Sequence, residues 1–123
     1  MKNSDRSPFY ALLDNVRSLH NVGAIFRTSD AVNLGKLYLC GITGEPPRKE
    51  ITKTALGADE IVPWEYFEEA TDAIKELKKQ GVKIVAVELA EGGVDYDKAE
   101  FDFPVCLVFG HEVEGVSEEV MEM

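Results

Sequence analysis

The fold is decided by residues 9–41, which read FYALLDNVRSLHNVGAIFRTSDAVNLGKLYLCG. The first five, residues 9–13, form an apolar run that predicts a buried strand, and the turn-forming Asp and Asn after it would end that strand. Across residues 21–33 the apolar positions recur at helical spacing, and Gly35 stands where that helix would stop. A second apolar run, residues 36–41, predicts another strand. This stretch therefore predicts a strand, a helix and a second strand in succession.

The rest of the chain continues the alternation. Residues 51–58 predict a short helix and residues 61–64 a short strand. The clearest helix follows, with an apolar face made of Phe67, Ala70, Ile74 and Leu77. Acidic residues near its start and lysines near its end suit the helix dipole, so these charges need no functional explanation. Residues 83–89 and 105–109 predict two more strands, and Ser117 is suited to cap a further helix.

Continuous apolar strands that alternate with helices are typical of a parallel sheet covered on both faces, so we predict an α/β fold. A chain of 123 residues fits one domain and buries about two-thirds of its unfolded surface. We therefore expect residues 1–123 to form a single domain. Ligands of such sheets bind at the carboxyl ends of the strands, which directs attention to the loops after Val87 and Phe109.

The composition excludes several classes of protein. The chain has no apolar run of about 18 residues and no apolar segment near its start that resembles a signal peptide. We therefore expect a soluble, cytoplasmic protein with no membrane partner. Cys40 and Cys106 each lie inside an apolar run, which predicts buried thiols. Since the sequence has no CxxC motif and no Cys/His cluster, no metal site is predicted.

The charge is unevenly distributed along the chain. The net charge is -10, which by itself disfavours binding to nucleic acid. Residues 1–53, however, have eight basic and five acidic side chains, a net of +3, whereas residues 54–123 have five and eighteen, a net of -13. The amino-terminal half is therefore able to face RNA, although a chance gradient on a solvated surface gives the same numbers.

Two polar segments stand beside predicted strands. The chain lacks GxGxxG and GxxxxGK[ST], so neither a dinucleotide site nor a phosphate-binding P-loop is predicted. Residues 21–28 read NVGAIFRT, and residues 109–116 read FGHEVEGV. Taken singly, their polar residues have ordinary explanations: a helix cap, a solvated ion pair, turn glycines and a surface acid. His20 and His111, next to or inside these segments, are interpreted as ordinary surface or loop residues.

Taken together and in order, the segments resemble a known family. Residues 21–27 resemble motif 1 (N-x-G-x-x-x-R) and residues 109–115 resemble motif 2 (F-G-x-E-x-x-G) of the SpoU/TrmH methyltransferases in the SPOUT class. Residues 54–58 and 62–64 are similar to the sequence between those motifs. The resemblance extends over residues 9–120, and three segments in order are far more specific than either motif alone.

The resemblance implies an activity and an architecture. Members transfer a methyl group from S-adenosylmethionine to a ribose 2'-hydroxyl in tRNA or rRNA. The domain carries a C-terminal trefoil knot, in the SPOUT or α/β-knot fold, and works as a homodimer. The cofactor lies against loops at the knot, and by position Val87, Phe109, Gly110 and Gly115 are expected to contact it.

Three residues of the matching motifs are candidates for catalysis. A ribose hydroxyl is a weak nucleophile, so the enzyme must align it and stabilise the negative charge that develops on its oxygen. Arg27 has a planar fork of five donors that suits both tasks, and whether it also acts as a base depends on its environment. Asn21 is expected to cap the helix and to hydrogen-bond across the site. Glu112 is expected to hold Arg27 or Asn21 in place.

The family's motif 3, an apolar strand and turn leading into a Ser-Leu-Asn helix, has no counterpart in residues 1–123. We therefore expect a chain that is truncated before motif 3 and lacks the C-terminal knot segment. Two explanations remain open, an incomplete part of an active enzyme or a short protein that has lost catalysis. The second would be a non-catalytic SPOUT-like module that dimerises or binds RNA.

Overall fold

A computed structural model of the chain describes residues 7–87 and 104–110. The elements within these ranges are strand β1 (Phe9–Asp14), helix α1 (Leu19–Ala31), β2 (Lys36–Cys40), α2 (Lys49–Ala55), a 3-10 turn (Ala58–Glu60), β3 (Trp64–Phe67), α3 (Ala70–Lys79), β4 (Lys83–Val87) and β5 (Val105–Phe109). The strands form one sheet in the order β3-β2-β1-β5-β4, and every neighbouring pair is parallel. The predicted α/β fold with a parallel sheet is confirmed.

The two faces of the sheet are covered by different helices. Successive side chains of a strand point to opposite faces, so Ala11 and Leu13 of β1 face one way and Leu12 the other. Ala11 and Leu13 join the core cluster that contains Phe26 of α1 and Ile51 of α2. Leu12 instead joins residues of β2, β5, α3 and the turn after α3 in the second cluster: Tyr38, Cys40, Ala70, Ala73, Ile74, Leu77, Val82, Cys106 and Val108. Cys40 and Cys106 are buried free thiols, as predicted.

The sequence placed β3 wrongly. The apolar residues 61–64 suggested the strand, but β3 is Trp64–Phe67 and pairs with β2 from Leu37↔Trp64 to Cys40↔Phe67. Val62 is buried in the preceding turn, where its apolar character serves the core without strand pairing. Because β3 is an edge strand with exposed positions, its alternation is weak in the sequence. Phe67, predicted on the helix face, therefore belongs to β3, and α3 begins at Ala70.

Two helix boundaries also differ from the prediction. α1 ends at Ala31, and Asn33 rather than Gly35 takes the left-handed conformation after it, with φ of 57°. Val32, predicted on the apolar face, is consequently an exposed cap residue. The helix predicted over 51–58 is α2, Lys49–Ala55, which ends where Leu56 adopts φ of 52°.

Some predicted elements lie outside the described residues: the end of the fourth strand at 88–89, the loop 90–103 and the helix after Ser117. None of the helices within residues 7–87 and 104–110 is long and apolar enough to cross a membrane.

Candidate functional site

The carboxyl ends of β4, β5 and β1 bring three predicted cofactor residues together. In the sheet register Phe109 pairs with Val87 on one side and with Leu13 on the other. Cα partners in a parallel sheet point to the same face, and Leu13 points to the face covered by α1. Val87 is buried, and the half-buried Phe109 packs against it. Gly110 follows directly and is also half-buried, so Val87, Phe109 and Gly110 form one group at this edge.

Helix α1 begins at the same edge, because β1 leads into it through a loop of four residues. The N-cap is Ser18, whose side chain accepts a hydrogen bond from the Asn21 backbone N–H over 3.1 Å. The prediction that Asn21 caps the helix is therefore wrong. Asn21 instead lies in the first turn, with an exposed side chain. Serine is a common N-cap residue, and Ser18 stands three residues before Asn21. The sequence could therefore have identified the true start of α1.

Arg27 lies farther along α1, and it too is exposed. Six residues of helix separate it from Asn21, which corresponds to about 9 Å along the axis and about 240° around it. The two side chains therefore leave the helix in different directions. Arg27 lies on the same side of α1 as the exposed His20, seven residues before it, whereas the buried residues of the helix are Val22, Gly23, Phe26 and Ser29.

The loop before α1 is tied to the loop after β2 by side-chain hydrogen bonds. The buried Thr43 hydroxyl donates to the Leu13 carbonyl over 3.1 Å and accepts from the Val16 N–H over 3.0 Å. Asn15 Oδ1 accepts from the Ile42 N–H over 3.0 Å, and Asn15 itself adopts φ of 58°. Among non-glycine residues, asparagine adopts this left-handed conformation several-fold more often than average. These bonds fix the position at which the chain enters α1, and the sequence analysis missed them.

Gly23, the central glycine of the first motif, is a contact point between helices. A Cβ at this position would lie 1.8 Å from Thr54 Oγ1 and 2.5 Å from the Ile51 carbonyl oxygen, both in α2. Only a residue without a Cβ permits that approach. The Thr54 hydroxyl also donates to the His20 carbonyl over 2.9 Å. The segment 54–58 resembles the family sequence between the two motifs. Its first residue, Thr54, is the one that contacts the first motif.

The two thiols are poorly suited to act as nucleophiles. Burial, with a further contribution from the nearby Asp14 carboxylate, raises the pKa of the Cys40 thiol to about 12. Burial also raises the pKa of Cys106. Both sulfurs are therefore protonated at neutral pH, whereas the reactive form of cysteine is the thiolate. Neither thiol is therefore a candidate nucleophile for this site.

The structure therefore divides the predicted site residues into three sets. It brings Val87, Phe109 and Gly110 together at the sheet edge, and it places Asn21 and Arg27 on the exposed surface of the helix that begins there. Glu112 and Gly115 lie outside the described residues, so their predicted roles stay predictions.

Comparisons with known proteins agree on one family. Residues 8–123 match the SpoU rRNA Methylase family. The tRNA (guanosine(18)-2'-O)-methyltransferase of Aquifex aeolicus (strain VF5) is 35% identical over 111 residues, which are 89% of this chain and 52% of that protein. The protein of the same name from Escherichia coli (strain K12) is 28% identical over 111 residues, 90% of this chain and 48% of that protein. The chain thus spans about half the length of these curated relatives.

A solved structure supports the same assignment. The AdoMet-bound rRNA methyltransferase from Sinorhizobium meliloti superposes with a TM-score of 0.82 at 31% identity. The match covers 98% of this chain and 46% of that one. The parallel five-stranded α/β sheet is therefore the fold of these methyltransferases.

Proposed function

Because the chain belongs to the SpoU rRNA Methylase family, we propose that it transfers a methyl group from S-adenosylmethionine to a ribose 2'-hydroxyl of tRNA or rRNA. The observation that carries this proposal is the location of the motif residues. Asn21 lies in the first turn of a helix that begins at the sheet edge formed by Val87, Phe109 and Gly110. The residue proposed to face the substrate and the residues proposed to face the cofactor thus lie at the carboxyl ends of the strands, where parallel sheets bind their ligands.

The described residues fit one side of a cofactor site. Val87 and Phe109 offer an apolar surface at the end of adjacent strands, which suits the adenine ring. Gly110 has no Cβ, so its backbone permits close approach by a bound molecule. Gly115, which lies outside the described residues, is also proposed to contact the cofactor. When bound, S-adenosylmethionine supplies a methyl group on a positively charged sulfur, which an oxygen nucleophile can attack in line.

We assign the orienting and charge-stabilising role to Arg27. Its guanidinium has five N–H donors and no acceptor, so it is suited to hold an RNA phosphate and to stabilise charge on the 2'-oxygen. Its exposed position on α1 leaves it accessible to a macromolecular substrate. Asn21 contributes a second hydrogen-bonding group about 9 Å away along the helix axis. Glu112 is proposed to hold one of these two side chains in its productive rotamer.

The assignment is tested by comparing two arginine variants in a methyl-transfer assay with labelled S-adenosylmethionine and bulk tRNA or rRNA. Arg27→Ala should lower turnover by about 100- to 1,000-fold, the usual cost of removing a charge-stabilising donor. Arg17→Ala is the matched control, since it removes an exposed arginine that lies outside the motif. Arg27→Lys keeps the charge without the fork and should give an intermediate rate. Equal rates for Arg27→Ala and Arg17→Ala would contradict the role.

Several properties of the family are proposed for this chain on the same basis. They are a single domain over residues 1–123, a homodimer and a cytoplasmic location, where tRNA and rRNA are found. Light scattering on the purified protein tests the dimer directly. A mass near twice the chain's 13.6 kDa supports it, and a mass equal to that of the monomer contradicts it.

A non-catalytic module that binds RNA or dimerises is the second candidate. The net charge of -10, with a net of -13 over residues 54–123, favours the dimerising form of this module over any form that binds or modifies RNA, because RNA binding draws on basic residues. Calorimetry with S-adenosylmethionine separates the two candidates. Micromolar binding of the cofactor contradicts the non-catalytic module.

A further inference from the structure

The peptide unit between His20 and Asn21 is held from both sides by side-chain hydroxyls. Its N–H, which belongs to Asn21, donates to Ser18 Oγ over 3.1 Å. Its carbonyl, which belongs to His20, accepts from Thr54 Oγ1 over 2.9 Å. Ser18 precedes α1 in the chain, whereas Thr54 lies on α2 and is 34 residues away from His20. One bond is therefore local, and the other connects two helices.

Thr54 has a choice of acceptors, and geometry favours the one on α1. Its hydroxyl lies 3.4 Å from the Glu50 carbonyl and 3.4 Å from the Ile51 carbonyl, both on its own helix. A hydroxyl has a single proton to donate, and 2.9 Å is within the usual range whereas 3.4 Å is long. A carbonyl oxygen has two lone pairs, so His20 can accept this bond in addition to a helical one. The Thr54 proton is therefore directed between the helices.

The close approach at Gly23 keeps Thr54 in place. A Cβ on Gly23 would lie 1.8 Å from the same Thr54 oxygen and 3.1 Å from the Ala55 backbone nitrogen. The missing side chain thus creates the space that the hydroxyl occupies. α1 and α2 are held at this spacing by apolar contacts as well, since Val22 and Phe26 share a core cluster with Ile51 and Ala55.

We propose that Thr54 is a positioning residue that fixes the His20–Asn21 peptide, and through it the direction of the Asn21 side chain, for methyl transfer. The effect on methyl transfer rests on the proposed function, whereas the effect on the peptide does not. The Cα of Asn21 is bonded directly to this peptide unit, so a shift of the peptide moves the side chain with it. Misplacement of a reacting or orienting group by about 1 Å can lower a rate by as much as 100-fold.

The test compares Thr54→Val, Thr54→Ser and Thr52→Val in the full chain. Valine keeps the shape of threonine and removes the hydroxyl, and serine restores the hydroxyl. Thr52→Val is the matched control, because it makes the same chemical change at an exposed position of α2 whose hydroxyl is bonded to Asp59 instead. Thr54→Ala is measured in parallel, so that the result does not depend on how valine packs.

Two quantities are measured for each variant, both on folded protein. The first is hydrogen exchange of the Asn21 amide, and the second is kcat and KM for methylation of bulk tRNA. Thr54→Val removes the bond to the His20 carbonyl and leaves the bond from the Asn21 N–H to Ser18, so exchange reports the loosening of the whole peptide unit. It should raise the exchange rate by up to about tenfold and lower kcat by up to about tenfold, with little change in KM, since a hydrogen bond of this kind is worth roughly one decade. Thr54→Ser should restore both quantities, and Thr52→Val should change neither.

Any of three results would overturn the inference. They are exchange at Asn21 that is unchanged in both Thr54→Val and Thr54→Ala, a loss that Thr54→Ser fails to restore, and a change of the same size in Thr52→Val. If the parent chain transfers no methyl group, the proposed function fails, and the exchange rates alone decide whether Thr54 holds the peptide.

Discussion

The two faces of the sheet are built in different ways. On the α3 face, the helix buries small and aliphatic residues such as Ala73 and Leu77, and Lys78 and Lys79 lie in its last turn, where their positive charge interacts favourably with the helix dipole. On the α1 face, the backbones of two helices meet at Gly23, and the hydroxyls of Ser18 and Thr54 bind one peptide unit. The first arrangement maximises apolar burial, whereas the second fixes backbone position. This difference indicates that residues near Asn21 serve geometry as well as stability.

The largest expected effect comes from the α3 face. Leu77 is fully buried, so Leu77→Ala should lower the free energy of unfolding by about 3 kcal/mol through lost burial and a new cavity. Methyl transfer per folded molecule should stay within about twofold of the parent, because the change lies on the other side of the sheet. Urea denaturation and an activity assay check the two parts. A tenfold loss of activity per folded molecule would show that the α3 face also affects methyl transfer, and it would contradict the proposed difference between the faces.

Gly23→Ala tests the α1 face and should lower the free energy of unfolding by about 2 kcal/mol through overpacking. In an unobstructed helix the same change stabilises by about 1 kcal/mol, so the sign itself is informative. Gly23→Ala combined with Thr54→Ala should recover only part of the loss, because the Ile51 carbonyl oxygen remains 2.5 Å from the new Cβ. Chemical denaturation of the three variants measures this. Stabilisation by Gly23→Ala would contradict the close contact of the helices.

The buried thiols make the α3 face sensitive to alkaline pH. The pKa of Cys40 is raised from 9.0 to about 12, so the fold favours the neutral thiol. This stabilisation is complete below pH 9 and is lost as the pH rises through about 12. Between these two pH values, the free energy of unfolding of the parent should fall by about 1.4 kcal/mol per pH unit relative to that of Cys40→Ala. Chemical denaturation of both proteins at pH 8, 9 and 10 measures this difference. If the free energy of unfolding changes with pH equally in both proteins, the prediction is contradicted.

Ser18→Ala should have the smallest effect, a loss of about 1 kcal/mol in the free energy of unfolding, since it removes the N-cap of α1. It also frees the Asn21 amide, so hydrogen exchange at that amide should accelerate. Ser29 is unsuitable as a control because it is buried, whereas Ser7→Ala changes a half-buried serine outside the helix and should have little effect. Equal exchange in Ser18→Ala and the parent would count against the cap.

Much of the fold was predictable because its signals are local. β1, β2 and β5 are buried on both faces, so each is a continuous apolar run that the sequence shows directly. The edge strand β3 was misplaced because it lacks that pattern. The cap was assigned to Asn21 although Ser18, a better-placed signal, was available. The contact of Gly23 with Thr54 joins residues 31 positions apart, and nothing local in the sequence announces it.

The same contrast applies to the candidate site. Asn21, Arg27, Phe109 and Gly110 could be predicted as site residues because they belong to short motifs with fixed spacing. Thr43 and Thr54 were missed as site residues because a lone threonine in a loop or helix is ordinary, and only the folded chain shows which carbonyl it reaches. Motif spacing was enough to predict the residues that are proposed to face the substrate. The residues that hold them in place could be identified only from the structure.

The position of the transferred label tests most directly whether this chain methylates a ribose 2'-oxygen, as we propose. RNA incubated with the protein and labelled S-adenosylmethionine is hydrolysed in alkali, which cleaves a phosphodiester only where the neighbouring 2'-hydroxyl is free. We expect label in alkali-resistant dinucleotides, and much less of it with Arg27→Ala than with Arg17→Ala. Label recovered only in mononucleotides would place the methyl group on a base and contradict the proposed 2'-O-methylation.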